Sequence, residues 1–532
     1  MFRETAQSDE LRQQILLGIK EVSDIVSQTL GSKGRNVVLD VNPFDDPIIT
    51  NDGVTIVREF NSKDKFKNIG IKLVREVAGR TNDQAGDGTT TATILFYEIC
   101  RSVQKALANE ADSLALRRGI EHATKEIIEA VKKQAKKTSD LEDLYNIAKI
   151  SSGSEELGKT ISDLVSELGE EALITLEDSP EVETTSERTE GLRLRGGILS
   201  QVFITNQAQQ QAVLNDAAVL VTNLELTTQE EMIRIMEIVA GSGKKDAVII
   251  AERIDGQALM TAVINKLKGQ INIVPIRVQA YGAIADGYLE DIAKVTGGTY
   301  FTAETGYKLS ELTINNFGKA DKIVSTREST TIIGGNGDKD ARIEELEGQL
   351  KNSDDLGDYA KESLTERIAK LKSAIGVIKV GGTTDVERKE RKARVEDAVN
   401  ATKAALSDGI VTGGATALYR ALSKTNFKGG LSQDELIGDK AVRTACIALL
   451  KQHAKNSSMT LDNQMLGDIL ADGKAIDFNT GKLVDAYKEG IIDPVKVVIS
   501  ALQNAAAQAG SFATTEGGLV VIDDPKIEPV QQ

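Results

Sequence analysis

The apolar spacing of this chain changes twice along its length, and that pattern limits the architecture more than any single motif does. Leu11, Ile15, Ile19, Val22 and Val26 recur at helical intervals, so residues 9–29 read as an amphipathic helix that stops at Gly31. Strands are expected at 35–40 and 48–50, the second running into the turn Asn51-Asp52-Gly53. Helical patterns continue to residue 135, where Lys132, Lys133, Lys136 and Lys137 complement a helix C-terminus. From 172 to 204 the period shortens. Residues 172–177 read as a strand, and Gly191, Gly196 and Gly197 punctuate the stretch after it. Between 217 and 325, strands at 217–221, 247–251 and 271–274 alternate with helices at 229–240 and 256–268, an α/β unit of its own. Residues 408–513 are again helical and rich in alanine. The two ends share a texture that the middle lacks, so a domain built from both termini with another inserted is expected.

Bulk properties fit that picture. A chain of 532 residues is too long for one ordinary core, and about two to four domains are expected. The net charge of −16 argues against general affinity for nucleic acid. Cys100 and Cys446 lie far apart in apolar helical contexts and read as reduced, buried thiols. His122 and His453 are isolated, which disfavours zinc. The N-terminus has no apolar signal-like run and no stretch approaches a membrane span, so a soluble protein of a reducing compartment is expected. Residues 340–372 are highly charged, with Leu364, Ile368, Leu371 and Ile375 at helical spacing. The break at Asn352-Ser353-Asp354-Asp355 favours an intradomain helical hairpin over a coiled coil.

Gly86-Asp87-Gly88-Thr89-Thr90-Thr91-Ala92-Thr93 carries the densest chemistry. Glycines let backbone N–H groups approach an anion, hydroxyls at a helix start can donate to phosphate oxygens, and a carboxylate suits Mg²⁺. Read alone, Gly-Asp-Gly is also just a tight turn before a capped helix. No Gly-Lys-Ser/Thr occurs in it, so this is not the Walker pattern. Four other segments each have a plain reading as well. Thr29-Leu30-Gly31-Ser32-Lys33-Gly34-Arg35 could be a C-cap, Asn51-Asp52-Gly53 a type I′ turn, the helix around Asp397 a solvated face, and Gly413-Gly414-Ala415 a loop. In the α/β unit, Met232, Ile235, Met236 and Val239 make one stripe, with Ile233 and Ile238 outside it. Leu259, Met260, Val263, Ile264 and Leu267 spread over roughly 140° of their helix. Pattern alone leaves two readings open, a deeply buried helix pair or an exposed apolar surface.

Taken together and in order, these segments resemble the group I chaperonins, the GroEL type. The resemblance rests on Thr29-Leu30-Gly31, Gly34-Arg35-Asn36-Val37-Val38-Leu39, Asp52-Gly53-Val54, Gly86 to Thr93 and Lys392-Ala393-Arg394-Val395-Glu396-Asp397-Ala398. Leu116-Arg117-Arg118-Gly119-Ile120, Gly413-Gly414-Ala415, Ile492-Asp493-Pro494 and Ser500 to Ala506 extend it across nearly the whole chain. It implies a multidomain α+β and α/β protein: a mostly helical equatorial domain from both termini (1–133 and 408–532 with the tail), a small intermediate domain (134–190 and 375–407) and an inserted α/β apical domain (191–374). Hinges fall near Gly191 and Gly376. Seven-membered rings, usually stacked in pairs, and a co-chaperonin cap are the implied partners, together with unfolded polypeptides. ATP and Mg²⁺ are the implied cofactors, with K⁺ a candidate second cation.

By the same resemblance Asp87 coordinates Mg²⁺, and Gly88, Thr89, Thr90 and Thr91 hold phosphates. Thr29, Leu30, Gly31, Ser32 and Asn51 line the pocket, and Gly413, Gly414, Asp477, Ile491 and Asp493 surround base and ribose. Asp397 serves ATP hydrolysis with Asp52 in support, delivered by closure of the intermediate domain. Ile198, Val202, Phe203, Ile233, Met236, Leu259, Val263 and Ile264 match the rim positions for polypeptide and co-chaperonin. The chain departs from the family pattern at several places. Ser32 replaces a proline, Asn51 a lysine, and Ile198 and Val202 stand where tyrosines are common. Leu406-Ser407-Asp408 departs from the acidic stretch that normally precedes the glycine run, and the tail Ile527 to Gln532 lacks Gly-Gly-Met repeats. Asn51 points to the cyanobacterial and plastid branch, so bacterial cytoplasm or plastid stroma is the expected location. Two functions are compatible with this: an ATP-driven folding chamber, or a divergent subunit that binds clients or joins mixed rings with weak turnover.

Overall fold

The computed structural model describes residues 2–40, 47–138, 140–169, 173–207, 210–269, 271–302, 304, 308–351, 358–372, 374–425 and 430–522. The break expected at 352–355 and the tail at 527–532 lie outside these residues. The chain forms two compact units. One comprises residues 1–170, 176–186 and 378–532, the other 171–175 and 187–377.

The first unit is helical, and both ends of the chain contribute to it. Helices Ser8–Val26, Lys65–Ala85, Thr89–Leu107, Ser113–Lys132, Gln433–Asn456 and Val495–Ala513 enclose one core, to which Leu11, Ile15, Ile19, Val22 and Val26 supply their predicted face. Small residues set how closely these helices cross. A Cβ on Gly18 would meet Lys67 O at 2.1 Å, and one on Gly70 would meet Ile15 O at 2.0 Å. Gly119 and Gly438 stand in the same relation to Glu435 O and Leu116 O, at 2.0 and 2.1 Å. Any side chain at these four positions would drive a helix pair apart. Phe2–Gln7 pairs antiparallel with Gly517–Ile522, so the two ends of the sequence meet in one ladder. Cys100 and Cys446 are both buried in this core.

One turn and one helix differ from their sequence reading. Asn51-Asp52-Gly53 is not a hairpin turn: Asp52 caps helix Gly53–Glu59, accepting from the N–H groups of Val54 and Thr55 at 3.0 Å each. The capping aspartate satisfies donors that a type I′ turn would not expose. Asp397 is not on a solvated face either. It lies on helix Asp385–Asp408 among buried Val395, Ala398 and Val399, and this helix packs on Leu141–Ser152 and Glu155–Leu168.

The second unit is α/β. Ala212–Thr222, Asp246–Ala251 and Asn272–Val278 run parallel, with Ala218 opposite Ala247 and Asp246 opposite Asn272. Helices Gln229–Gly241 and Gly256–Leu267 make the crossovers. Gly318–Ser325 and Ser329–Ile333 add antiparallel strands, and Ser329–Ile333 pairs with Thr185–Ile198, Ser329 opposite Arg195. Since Thr185–Ile198 also pairs with Asn272–Val278, the sheet closes on itself. Gly191 lies inside that strand, where a Cβ would collide with Ile375 Cδ1 at 1.9 Å, so close packing is what demands glycine there. The charged segment forms helices Lys339–Lys351 and Asp358–Lys372, packed against each other. Two of its arginines are buried. Arg342 Nε and Arg367 Nε donate to the two oxygens of buried Asp291, at 2.8 and 2.7 Å.

Candidate nucleotide site and apolar helix face

Gly86 and Gly88 both adopt left-handed backbone, with φ of 70° and 86°, which L side chains rarely tolerate. Gly86 ends helix Lys65–Ala85, and its N–H donates to Asn82 O at 2.7 Å. Gly88 begins helix Thr89–Leu107 without any side-chain cap, so the first N–H groups of that helix have no cap from a side chain. Space also requires glycine. A Cβ on Gly86 would sit 2.1 Å from Asn400 Cβ, and one on Gly88 would sit 2.8 Å from Val497 Cγ1. Asn400 belongs to the helix that carries Asp397, so that helix lies directly on the turn. Thr90 Oγ1 lies 3.2 Å from Thr29 Oγ1, joining the threonine run to the Thr29-Leu30-Gly31 loop. A Cβ on Gly53 would meet Thr90 Oγ1 at 2.7 Å and Thr89 Oγ1 at 2.8 Å. Asp52, Thr29 and the threonine run therefore share one small space.

Four carboxylates, Asp52, Asp87, Asp397 and Asp493, feel one another's charge there. Asp87 accepts from its neighbour Gly88 N–H and from Ser151 Oγ at 3.3 Å, yet burial and the charge of Asp52 raise its pKa. Asp397 is pushed well above the usual carboxylate range, first by burial and then by the charges of Asp52 and Asp87. As the chain is folded here, Asp397 is already within their electrostatic reach, without the closure that sequence similarity implied. Asp493, opposite Val411 in the Ile410–Thr412/Ile492–Pro494 pair, is raised to about 6 by burial and by Asp87, against a hydrogen bond from Gly414 N–H. Crowded carboxylates raise one another's pKa because like charges repel in a poorly solvated space. A divalent cation would relieve that repulsion. Among the described residues no three carboxylate, thiol or imidazole groups could cage a metal alone.

The remaining pocket residues fall into two loops. Leu30 and Gly31 follow the short helix Ser27–Thr29, and Asn456 Nδ2 holds their backbone by donating to Ser27 O and Leu30 O at 2.8 and 2.9 Å. Ser32 is exposed, and Asn51 is half-buried before the Asp52 cap. Gly413 N–H donates to Ile491 O at 2.8 Å, and Gly414 and Ala415 take φ of 63° and 64° to open helix Thr416–Lys424. Gly413, Gly414, Ile491 and Asp493 thus come together. Asp477 differs: its carboxylate closes its own turn, accepting from Asn479 N–H at 2.8 Å and Thr480 Oγ1 at 2.6 Å. Its neighbour Phe478, singled out by no motif, is the side chain that reaches Gly414. Proximity to Asp477 was the only sequence signal that could have found it.

Of the eight apolar positions that the resemblance implied, five have side chains that are exposed or half-buried. Ile233 and Ile264 are 38% and 44% exposed, and Val202, Leu259 and Val263 are half-buried. Met260 and Leu267, at 56% and 71%, extend the exposed band along helix Gly256–Leu267. Ile198, Phe203 and Met236 are buried in the core beneath, so as folded they offer no surface to a partner. Their place in the packing explains it: Met236 shares the inward stripe of Met232, Ile235 and Val239.

The family model of the TCP-1/cpn60 chaperonins matches residues 22–516, and the chain belongs to that family. Among solved structures it is similar to the chaperonin gp146 from the bacteriophage EL 2 (Pseudomonas aeruginosa), crystallised in the presence of ATP-BeFx. That likeness covers 98% of this chain and 99% of the other, with a TM-score of 0.65 and 22% identity. The fold is thereby that of a chaperonin. Among the described residues no helix is long and apolar enough to cross a membrane.

Proposed function

We propose that this chaperonin is a group I type ATPase that captures non-native polypeptide and promotes its folding in a ring cavity, with Mg-ATP binding and hydrolysis driving domain movement. One observation carries the reading: Asp52, Asp87 and Asp397, from distant parts of the sequence, lie within electrostatic reach of one another at a glycine turn whose following helix has no side-chain cap. Mg-ATP, when bound, supplies the transferable phosphoryl group and the positive charge that the carboxylates lack. Gly88, Thr89, Thr90 and Thr91 donate N–H and hydroxyl hydrogen bonds to phosphate, and Asp87 holds the metal. Asp397 orients the attacking water, and Asp52 fixes the neighbouring helix start while adding negative charge. The exposed band of Ile233, Met260, Ile264 and Leu267 binds apolar segments of unfolded chains with little sequence preference. Three-part subunits in seven-membered rings, closed by a co-chaperonin, complete the proposal.

Replacing Asp397 tests it. The Asp397→Ala protein is expected to bind Mg-ATP with unchanged affinity while steady-state phosphate release falls about a hundredfold or more. Undiminished release would remove Asp397 from the chemistry. Client binding without any turnover in the unmodified protein would favour the divergent, non-cycling subunit instead.

A further inference from the structure

A second, smaller core lies where helices Leu141–Ser152 and Asp385–Asp408 rest on the strand that carries Asp493. Ile147, Ala401, Ala405, Ile410 and Ile492 form it, and half-buried Tyr487 packs against it. Ala401 and Ala405 follow Asp397 at i+4 and i+8, so this core grips the same helix face that bears the carboxylate. The chain crosses into those helices at Lys136, which exchanges backbone hydrogen bonds with Ile410 at 2.9 and 2.8 Å. Ile410 in turn lies opposite Pro494, and Thr412 opposite Ile492. The crossing segment, Ile410–Thr412 and the Asp493 strand are therefore bonded side by side. The crossing is also tight: Gly409 has φ of 83°, and a Cβ on it would lie 2.4 Å from Lys136 O. Two contacts join the Tyr487 turn to it. Lys136 Nζ stands 3.5 Å from the centroid of the Tyr487 ring, a close cation–π contact. Gly490, in the same turn, makes room for the Asn146 side chain of helix Leu141–Ser152, whose Cγ a Cβ would meet at 2.4 Å. The sequence reads Lys136 only as a helix C-terminal charge; folded, its ammonium covers a ring.

We propose that Tyr487 is a positioning residue for ATP hydrolysis: its ring, covered by the Lys136 ammonium, keeps the Asp397 face of helix Asp385–Asp408 seated beside the Asp493 strand. The proposal rests on the ATPase reading of this site. Alanines let the helix approach closely but bury little surface of their own, so the ring adds apolar area where the helix needs it. Placement matters because a displacement of about 1 Å in a reacting group can cost about a hundredfold in rate. The phosphate turn does not lean on the ring, since helix Thr89–Leu107 packs in the larger core. Ile491 and Asp493 keep their own pairing with Gly413 and Val411. Loss of the ring therefore slows the chemical step and leaves nucleotide affinity in place. Lys136 is exposed, which sets its share at the low end for such contacts, about threefold.

Two measurements on the assembled full-length protein test it: Mg-ATP affinity by calorimetric titration, and phosphate release in a single turnover. Tyr487→Ala is expected to slow release about tenfold or more while affinity stays within about twofold. Tyr487→Phe keeps the ring and is expected to restore most of the rate. Lys136→Met, a change at an exposed residue, is expected to slow release about threefold, with Lys136→Arg close to the unmodified protein. Added to Asp397→Ala, Tyr487→Ala is expected to cost nothing further, because the ring acts through that carboxylate. An unchanged rate in Tyr487→Ala, equal loss of rate and affinity, or a full additional loss on top of Asp397→Ala would overturn the proposal. Should Tyr487→Ala fail to assemble, an unchanged rate in Lys136→Met would overturn it equally. Failure of the unmodified protein to release phosphate from Mg-ATP would instead refute the ATPase reading beneath it.

Discussion

Asp493 shows how much a single side chain can report. Its carboxyl is raised to about 6 from 3.8, so the folded chain holds that proton more tightly than the unfolded one. Without nucleotide, this term favours folding at low pH and is lost as pH rises through about 6. In the proposed function, affinity for Mg-ATP runs the opposite way, because holding the cation needs an ionised Asp87, whose pKa is raised as well. Titrations between pH 7.5 and 5.5 are expected to show weakening affinity, with a shallower slope in Asp493→Asn. Protonation of the nucleotide's own phosphate appears in both proteins and cancels in the comparison. Identical slopes would show that Asp493 does not sense the bound charge. At this scale the sequence was legible where the site is contiguous. Gly86 to Thr91 read as the proposed phosphate turn because glycines, hydroxyls and carboxylate lie within a few residues. Tyr487 gave no such sign, because the cluster it packs on forms only once two helices and two strands come together.

Among the elements, the charged hairpin was expected, but the burial of its arginines was not. Its sequence reads as an intradomain helical hairpin without marking any buried charge, and Arg342 and Arg367 are buried on Asp291 of helix Ala283–Thr296. Asp291→Ala would leave two guanidinium groups buried without their shared partner, a cost of about 3–5 kcal/mol. Urea denaturation is expected to show that loss, and a change under about 1 kcal/mol would mean the arginines find water instead. The pattern could not reveal this, since charge in a sequence says nothing of the acid that awaits it across the fold. Helix Gly256–Leu267 presents the converse case. Its wide apolar arc fits burial or exposure equally, and only the fold leaves Met260, Ile264 and Leu267 outside. Ile264→Ser with Leu267→Ser is expected to reduce capture of a denatured client about fivefold while ATP turnover stays unchanged. Undiminished capture in a light-scattering assay would move the client surface elsewhere.

For the molecule as a whole, the inserted architecture was legible because apolar spacing changes where the chain leaves the helical unit and again where it returns. Pairing of Phe2–Gln7 with Gly517–Ile522 brings the ends together, and the α/β unit occupies residues 187–377 of the interval. Closure of its sheet was not legible, because Ser329–Ile333 finds Thr185–Ile198 more than a hundred residues away. Long-range pairing leaves no local trace in composition. The same holds for the carboxylate site: Asp52, Asp87 and Asp397 converge only through helix packing, and the proposed coupling of nucleotide to movement depends on that convergence. Calorimetric titration of the assembled protein with ATP, in the presence and absence of Mg²⁺, tests it most directly. Saturable binding that requires Mg²⁺ and disappears in Asp87→Ala is the predicted result. Absence of nucleotide uptake under both conditions, or equal uptake without Mg²⁺, would contradict it.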